Sequence, residues 1–261
     1  MEETKKEKKK KGKDIFRRII LVVCVVVFVY SSYNLLSIYY DYYKIDQSYG
    51  NLRTEFIKND NDKNKYLIID WDSLLKRNPD VIAWVSIPGT NIDYPVLKGE
   101  TNDTYLRHDI DHKYSIAGCI FVDANNANPF TDLNTVIYGH HMKNGSMFSD
   151  INDYLDADYV KDHPNVYIYL PDGTVSKYKI VSGHKIDATD TLYNTNVQDI
   201  KEYYQKMLSG SVFNIEFDQE AKQPVITLST CATYSLTDTS RAVIHAVLER
   251  KGIDPKSEKI E

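Results

Sequence analysis

Apolar positions change their rhythm twice along this chain. Ile19 to Tyr30 is unbroken apolar sequence, and the run continues, diluted by Ser31, Ser32, Asn34 and Ser37, through Ile38. No charged residue falls between Arg18 and Asp41. About twenty uncharged residues rising about 1.5 Å each can cross a hydrocarbon layer about 30 Å thick, so the pattern predicts a transmembrane helix over 19–39. Tyr30, Tyr33, Tyr39 and Tyr40 suit its outer interface. A cleaved signal peptide is the rival reading, but no clean small-x-small cleavage site follows the run.

From 41 to 70 the chain is polar and Tyr-rich, with Leu52, Phe56 and Ile57 on one helical stripe, which predicts a helical stalk. Beyond Val81 the rhythm shortens to Val-, Ile- and Tyr-rich runs bounded by turn residues. These are 81–87, 92–97, 118–123, 135–141, 165–170, 175–181, 224–231 and 241–248. Pro171, Asp172 and Gly173 predict a hairpin turn between two of them. Eight short strands so spaced predict a mainly β fold, a barrel or sandwich. Two helices interrupt them: one capped by Asn144 with Phe148, Ile151 and Leu155 on one face, the other over 197–208 with Ile200, Tyr204, Met207 and Leu208 facing the sheet.

Charge refines this picture. The chain of 261 residues carries a formal net charge of −5, but residues 1–18 hold nine Lys/Arg against four acids. Everything after Arg18 therefore has 23 basic and 33 acidic residues, a net −10. A basic flank next to an apolar span keeps its own side cytoplasmic and places the remainder outside. An acidic body excludes a nucleic-acid partner. The domain plan is a basic tail (1–18), a signal anchor (19–39), a stalk (40–75), a barrel (76–250) and a charged, frayed tail (251–261).

Common catalytic signatures are missing: there is no GxxxxGK[ST], HExxH, GxSxG or CxxC. His140, His141 and His184 do not make a convincing metal set, because adjacent strand residues point to opposite faces. Of three cysteines, Cys24 lies in the apolar span, leaving Cys119 and Cys231 to the exported part. They can pair, or one can be a reactive thiol. The apolar strand Thr227–Cys231 ends on a cysteine, and after nine small or polar residues Arg241 opens the last strand. A loop between consecutive antiparallel strands returns its ends to one another, so Arg241 belongs near Cys231. There it can lower the thiol pKa, stabilise an oxyanion or hold a peptide carbonyl; equally, the pair can be a half-buried Cys beside a solvated Arg. A thiol of ordinary pKa is only about 3% thiolate at pH 7 and needs help, and the strand 135–141 ends on two imidazoles.

These residues resemble those of class B sortases. Thr227–Cys231 followed by Arg241 is similar to the Thr-Leu-x-Thr-Cys and distal Arg of that family, and Trp84–Val96, Thr101–Leu106, Gly118–Asp123 and Ile137–Phe148 fit its pattern in order. The resemblance runs from about 70 to 250. It implies a closed eight-stranded sortase-type β-barrel with peripheral helices, acting as a cysteine transpeptidase that joins surface proteins to the Gram-positive cell wall. Residue by residue it implies Cys231 as nucleophile, His140 as catalytic histidine with His141 only a neighbour, and Arg241 as catalytic arginine. Asn102, Leu106, Ser229, Thr230, Thr189, Leu192 and Tyr193 are then expected along the substrate groove. The implied substrate is a C-terminal sorting signal resembling Asn-Pro-Gln-Thr-Asn, cut after Thr, and the acceptor is the amine of a lipid-linked cell-wall precursor. No metal or organic cofactor is implied. The sequence departs from the family at Ala232, where some relatives carry an acid, and at Cys119, where small Ser-like residues are usual. A secreted cysteine peptidase and a non-enzymatic, membrane-anchored peptide-binding barrel are the alternatives.

Overall fold

The computed structural model describes residues 2–58, 66–234 and 237–260, with 2–15 as backbone only. The basic side chains up to residue 15 and the stalk segment 59–65 lie outside the described residues. The chain divides into two units, Met1–Gln47 and Ser48–Glu261.

The first unit is the body of helix α1 (Glu2–Phe56), which from Phe16 onward is long and apolar enough to cross a membrane. Its apolar side chains are exposed to the surroundings, from Ile19 at 56% to Tyr40 at 57%. Such a surface fits lipid contact. The last turns of α1, from Ser48, belong to the second unit. There the expected stalk does not remain helical: α1 stops at Phe56, and Ile57 forms an antiparallel bridge with Ile69. Asp70 then caps a second helix, α2 (Trp71–Arg77), by accepting from the Ser73 N–H.

Eight strands follow: β1 (Val81–Ser86), β2 (Asp93–Leu97), β3 (Ile120–Val122), β4 (Asn134–Tyr138), β5 (Asn165–Tyr169), β6 (Val175–Asp187), β7 (Val225–Cys231) and β8 (Ser240–Ile253). They close into a barrel in the order β1-β2-β3-β4-β7-β8-β6-β5. All neighbours are antiparallel except β2–β3 and β4–β7. The parallel pairs need long crossovers, and the one from β4 to β7 contains β5, β6 and two short helices, α3 (Tyr159–Asp162) and α4 (Ile200–Leu208). Alternation of Ile226 and Leu228 with polar Thr227 and Ser229 would suit a strand with one wet face, but all four are buried, because β7 is flanked on both edges and covered on both faces.

Two apolar clusters cover the barrel. Leu52, Phe56 and Leu74 pack with Trp84, Tyr105 and Tyr167, while Ile200, Tyr203, Tyr204 and Met207 of α4 pack on Val181, Val225 and Val247. Burying each large side chain contributes about 2 kcal/mol. The helix expected over 197–208 starts at Ile200 because the Asp199 carboxylate caps the N–H groups of Lys201 and Glu202. The Asn144-capped helix is instead a 3-10 helix over Ser149–Leu155. Positive φ at Gly145 (80°) and Met147 (60°) interrupts any helix before it, and the Asn144 side chain accepts from Ser146 in a local turn. The segment expected as a frayed tail is partly ordered: β8 runs past Leu248 to a buried Ile253, and Arg250 pairs with Glu258 at 2.6 Å.

Candidate active site

The barrel topology brings three strand ends to one rim. β4 and β7 run parallel with Tyr138 opposite Ser229, and the Gly139 N–H donates to the Ser229 carbonyl at 3.1 Å, so His140 follows beside the end of β7. β8 returns antiparallel, and its register sets Arg241 directly opposite Cys231. A groove of about 240 Å³ opens there, with Cys231, His140 and Arg241 all in its lining.

The expected strand 135–141 ends at Tyr138, so both histidines lie on the loop beyond it. This loop is held in place. His140 Nε2 lies 2.8 Å from the Leu106 carbonyl oxygen, which can only accept; Nε2 therefore carries a hydrogen, which in the neutral ring leaves the lone pair on Nδ1. Burial, reinforced by the positive Arg107, lowers the His140 pKa, against the opposing pull of the Leu106 hydrogen bond. The lowered pKa favours the neutral imidazole, the form that can receive a proton. NMR titration of the full chain carrying Cys231→Ala should place the His140 midpoint below the usual value near about 6.5; a midpoint at or above it would contradict this account. His141 is turned away from the groove, its ring 4.1 Å from that of Tyr234.

The Cys231 side chain is half-buried, and its carbonyl accepts from Asn152 Nδ2 at 3.2 Å, which ties the end of β7 to the 3-10 helix. Arg241 donates from Nη1 to its neighbour's Ser240 carbonyl at 3.1 Å. No carboxylate among the described residues forms an ion pair with it, which leaves most of its donor fork for a bound group.

Five of the expected groove residues line the cavity: Asn102, Leu106, Tyr193, Ser229 and Thr230. The Tyr193 hydroxyl and Ser229 Oγ lie 2.7 Å apart, and Thr230 Oγ1 is buried without a partner. Thr189 and Leu192 are not in the lining. Thr189 is an exposed turn residue whose Oγ1 donates to Asp187, and Leu192 is buried beneath Tyr203, whose hydroxyl donates to the Leu192 carbonyl. A 3-10 turn over Thr191–Tyr193 rotates Leu192 inward and Tyr193 to the groove. Sequence reasoning missed Asp103, Phe121, Tyr138 and Ala188, which also line it. Tyr138 carried a signal: it is the last residue of β4, two positions before His140.

The three cysteines are unpaired. Cys119 lies in the apolar cluster rather than the groove; its thiol donates to the His108 carbonyl at 3.3 Å, and burial pushes its pKa up to about 12. It is an inert structural thiol. Among the described residues no cluster of three His, Cys, Asp or Glu side chains could hold a metal ion.

Comparisons with known proteins agree with this fold. The sortase domain family matches residues 85–249. Sortase B of Listeria monocytogenes is 37% identical over 183 residues, covering 68% of this chain and 73% of that protein. Sortase B of Staphylococcus aureus is 28% identical over 236 residues, covering 88% and 96%. The solved Clostridium perfringens sortase B superposes with a TM-score of 0.63 at 32% identity, covering 69% of this chain and 99% of that one. A barrel whose strand ends carry Cys, His and Arg on one groove, matched over most of its length by these relatives, belongs to the class B branch of the sortase family, the cysteine transpeptidases.

Proposed function

We propose that this sortase cuts a C-terminal sorting signal resembling Asn-Pro-Gln-Thr-Asn after its Thr and transfers the new carboxyl end to an amine of a lipid-linked cell-wall precursor. The observation that carries the reading is the convergence of Cys231, His140 and Arg241 on one groove.

Each group has a chemical part. The Cys231 thiol passes its proton to neutral His140 and attacks the Thr carbonyl, and Arg241 faces the oxygen on which negative charge develops. The imidazolium then gives that proton to the departing amine, the C–N bond breaks, and a thioester remains. An acceptor amine attacks the thioester and loses its proton to His140, which returns it to the leaving sulfur. Anchoring by α1 would hold this site at the outer membrane face with the basic tail inside, where both the emerging surface protein and the lipid-linked acceptor are found. A solved Staphylococcus aureus sortase B, 26% identical to this chain with a TM-score of 0.64, is a substrate complex, which supports substrate binding by this fold.

The test is product partitioning. The full chain in detergent micelles is mixed with a quenched Asn-Pro-Gln-Thr-Asn peptide at rising concentrations of a short glycine peptide. Cleavage after Thr, with amine-capped product growing at the expense of free acid, is the expected result. Free acid alone at every amine concentration would mean a hydrolytic peptidase, and no cleavage would leave a binding barrel.

A further inference from the structure

Just past β3, on the outer side of the groove wall, sits a carboxylate to which neither the sequence nor the reaction assigns a role. Asp123 is only 6% exposed, and among the described residues no Lys or Arg pairs with it. Four donors satisfy it instead. Its Oδ1 accepts from the Asn125 N–H at 2.8 Å and from Asn125 Nδ2 at 2.9 Å. Its Oδ2 accepts from two residues that line the groove, Asn102 Nδ2 at 3.1 Å and the Tyr138 hydroxyl at 2.9 Å.

This arrangement removes two freedoms from the wall. A carboxamide can sit either way round, but Asn102 is pinned at both ends: its Oδ1 accepts from the Ala124 N–H at 2.8 Å, and its Nδ2 faces a group that only accepts. Its second amide hydrogen is left as a donor. A phenol can donate or accept, but the Tyr138 hydrogen is committed to Asp123, so its oxygen is left as an acceptor. The ring of Tyr138 continues the aromatic row from Phe121, 5.5 Å away, to Tyr193, 6.0 Å away, so the fixed polar tips stand on a rigid apolar floor.

We infer that Asp123 is a positioning residue for substrate recognition, setting a donor at Asn102 and an acceptor at Tyr138 so that this wall selects an amide group of the sorting peptide. The inference rests on the sorting-signal reading above. A peptide amide and a carboxamide side chain share that donor-and-acceptor chemistry, and both are present in an Asn-Pro-Gln-Thr-Asn probe.

Asp123→Asn puts an amide nitrogen in place of one carboxylate oxygen: at Oδ2 it faces Asn102 Nδ2 and the Tyr138 hydroxyl and frees both, and at Oδ1 it faces the two Asn125 donors and loosens the turn that holds the group against Asn102 and Tyr138. In the full chain in micelles, KM for the quenched probe should rise about fivefold to tenfold, the effect of one lost hydrogen bond. The kcat value and the rate of Cys231 alkylation by iodoacetamide should stay within about twofold, which a general loosening of the barrel would not allow. A second variant removes dependence on that protein's folding. Pairing Asp123→Asn with Asn102→Asp restores the bond with its polarity reversed, so Tm should return to near the parent value while KM stays raised. Three further probes, with Leu for the first Asn, Met for Gln or Leu for the last Asn, locate the amide: a loss that disappears with one probe assigns that side chain, and a loss that persists with all three assigns the peptide main chain. Unchanged KM in Asp123→Asn, or parental KM in the reversed pair, overturns the inference while the parent enzyme still cleaves. Absence of Cys231-dependent cleavage by the parent overturns the sorting-signal reading itself and the inference with it.

Discussion

Alanine at Cys231 should abolish cleavage of the sorting peptide, and alanine at Arg241 should lower kcat/KM by about 10²–10³. The first loss is complete because the groove offers no substitute nucleophile: Ser229 Oγ is engaged with Tyr193, Thr230 Oγ1 is buried, and Cys119 is shut in the core with its pKa pushed up to about 12. The second follows from register. Arg241 stands opposite Cys231 with a single backbone hydrogen bond to Ser240 among the described contacts, so its removal costs the fold little and the transition state much. Arg241→Lys should recover no more than about tenfold, since an ammonium lacks the planar fork. Alkylation by iodoacetamide divides the roles open to the guanidinium. A rate within a few fold of the parent at pH 7 places Arg241 on the oxyanion or substrate; a matching 10²-fold drop would place it on the thiolate. Residual turnover above about a tenth of the parent in Arg241→Ala would sink the assignment.

Much of this site is visible in the one-dimensional pattern, because antiparallel neighbours in sequence are neighbours in space. Cys231 and Arg241 flank one loop, and their pairing follows from that loop alone. The residues contributed by long crossovers are different. His140 reaches the same rim through a parallel β4–β7 contact between strands separated by β5, β6 and α4, a neighbourhood that no local period encodes. Family resemblance supplied it instead. The errors were local and had backbone causes. Thr189 and Leu192 were placed on the groove with Tyr193, but Thr189 sits in a turn held by Asp187, and the 3-10 turn over Thr191–Tyr193 advances side chains by about a third of a revolution per residue, which sends Leu192 to the core and Tyr193 to the groove. The stalk pattern of Leu52, Phe56 and Ile57 was apolar for a real reason, packing on the barrel's end, yet the bridge from Ile57 to Ile69 ended the helix where a stripe of apolar residues alone would have continued it. Asp123 escaped notice because a carboxylate satisfied entirely by neutral donors has no charge partner to betray it in sequence.

Gly118→Ala should lower kcat/KM by about 10² and destabilise the fold by about 2–4 kcal/mol, although Gly118 touches no reacting atom. Gly118 holds φ at +55°, a left-handed conformation that costs an L-residue about 1–2 kcal/mol. Space is the greater obstacle. A Cβ there would lie 2.5 Å from the Leu106 carbonyl oxygen and 2.6 Å from that of Tyr105, both backbone atoms that no rotamer change can move aside. The Leu106 carbonyl is the acceptor that fixes His140 Nε2, so relief of the clash must shift the group that orients the imidazole. A displacement of about 1 Å at a positioned catalytic group is enough for the expected loss of rate. Gly173→Ala separates the two contributions. Gly173 has φ +84° in the β5–β6 turn with no atom within 4 Å of the added Cβ, and it does not line the groove. It should therefore cost only about 1 kcal/mol and leave peptide cleavage at the parental rate. Turnover in Gly118→Ala within about threefold of Gly173→Ala, measured on folded protein of known Tm, would show that the Leu106 carbonyl does not govern the position of His140. A rate loss accompanied by a changed His140 titration midpoint would show that it does.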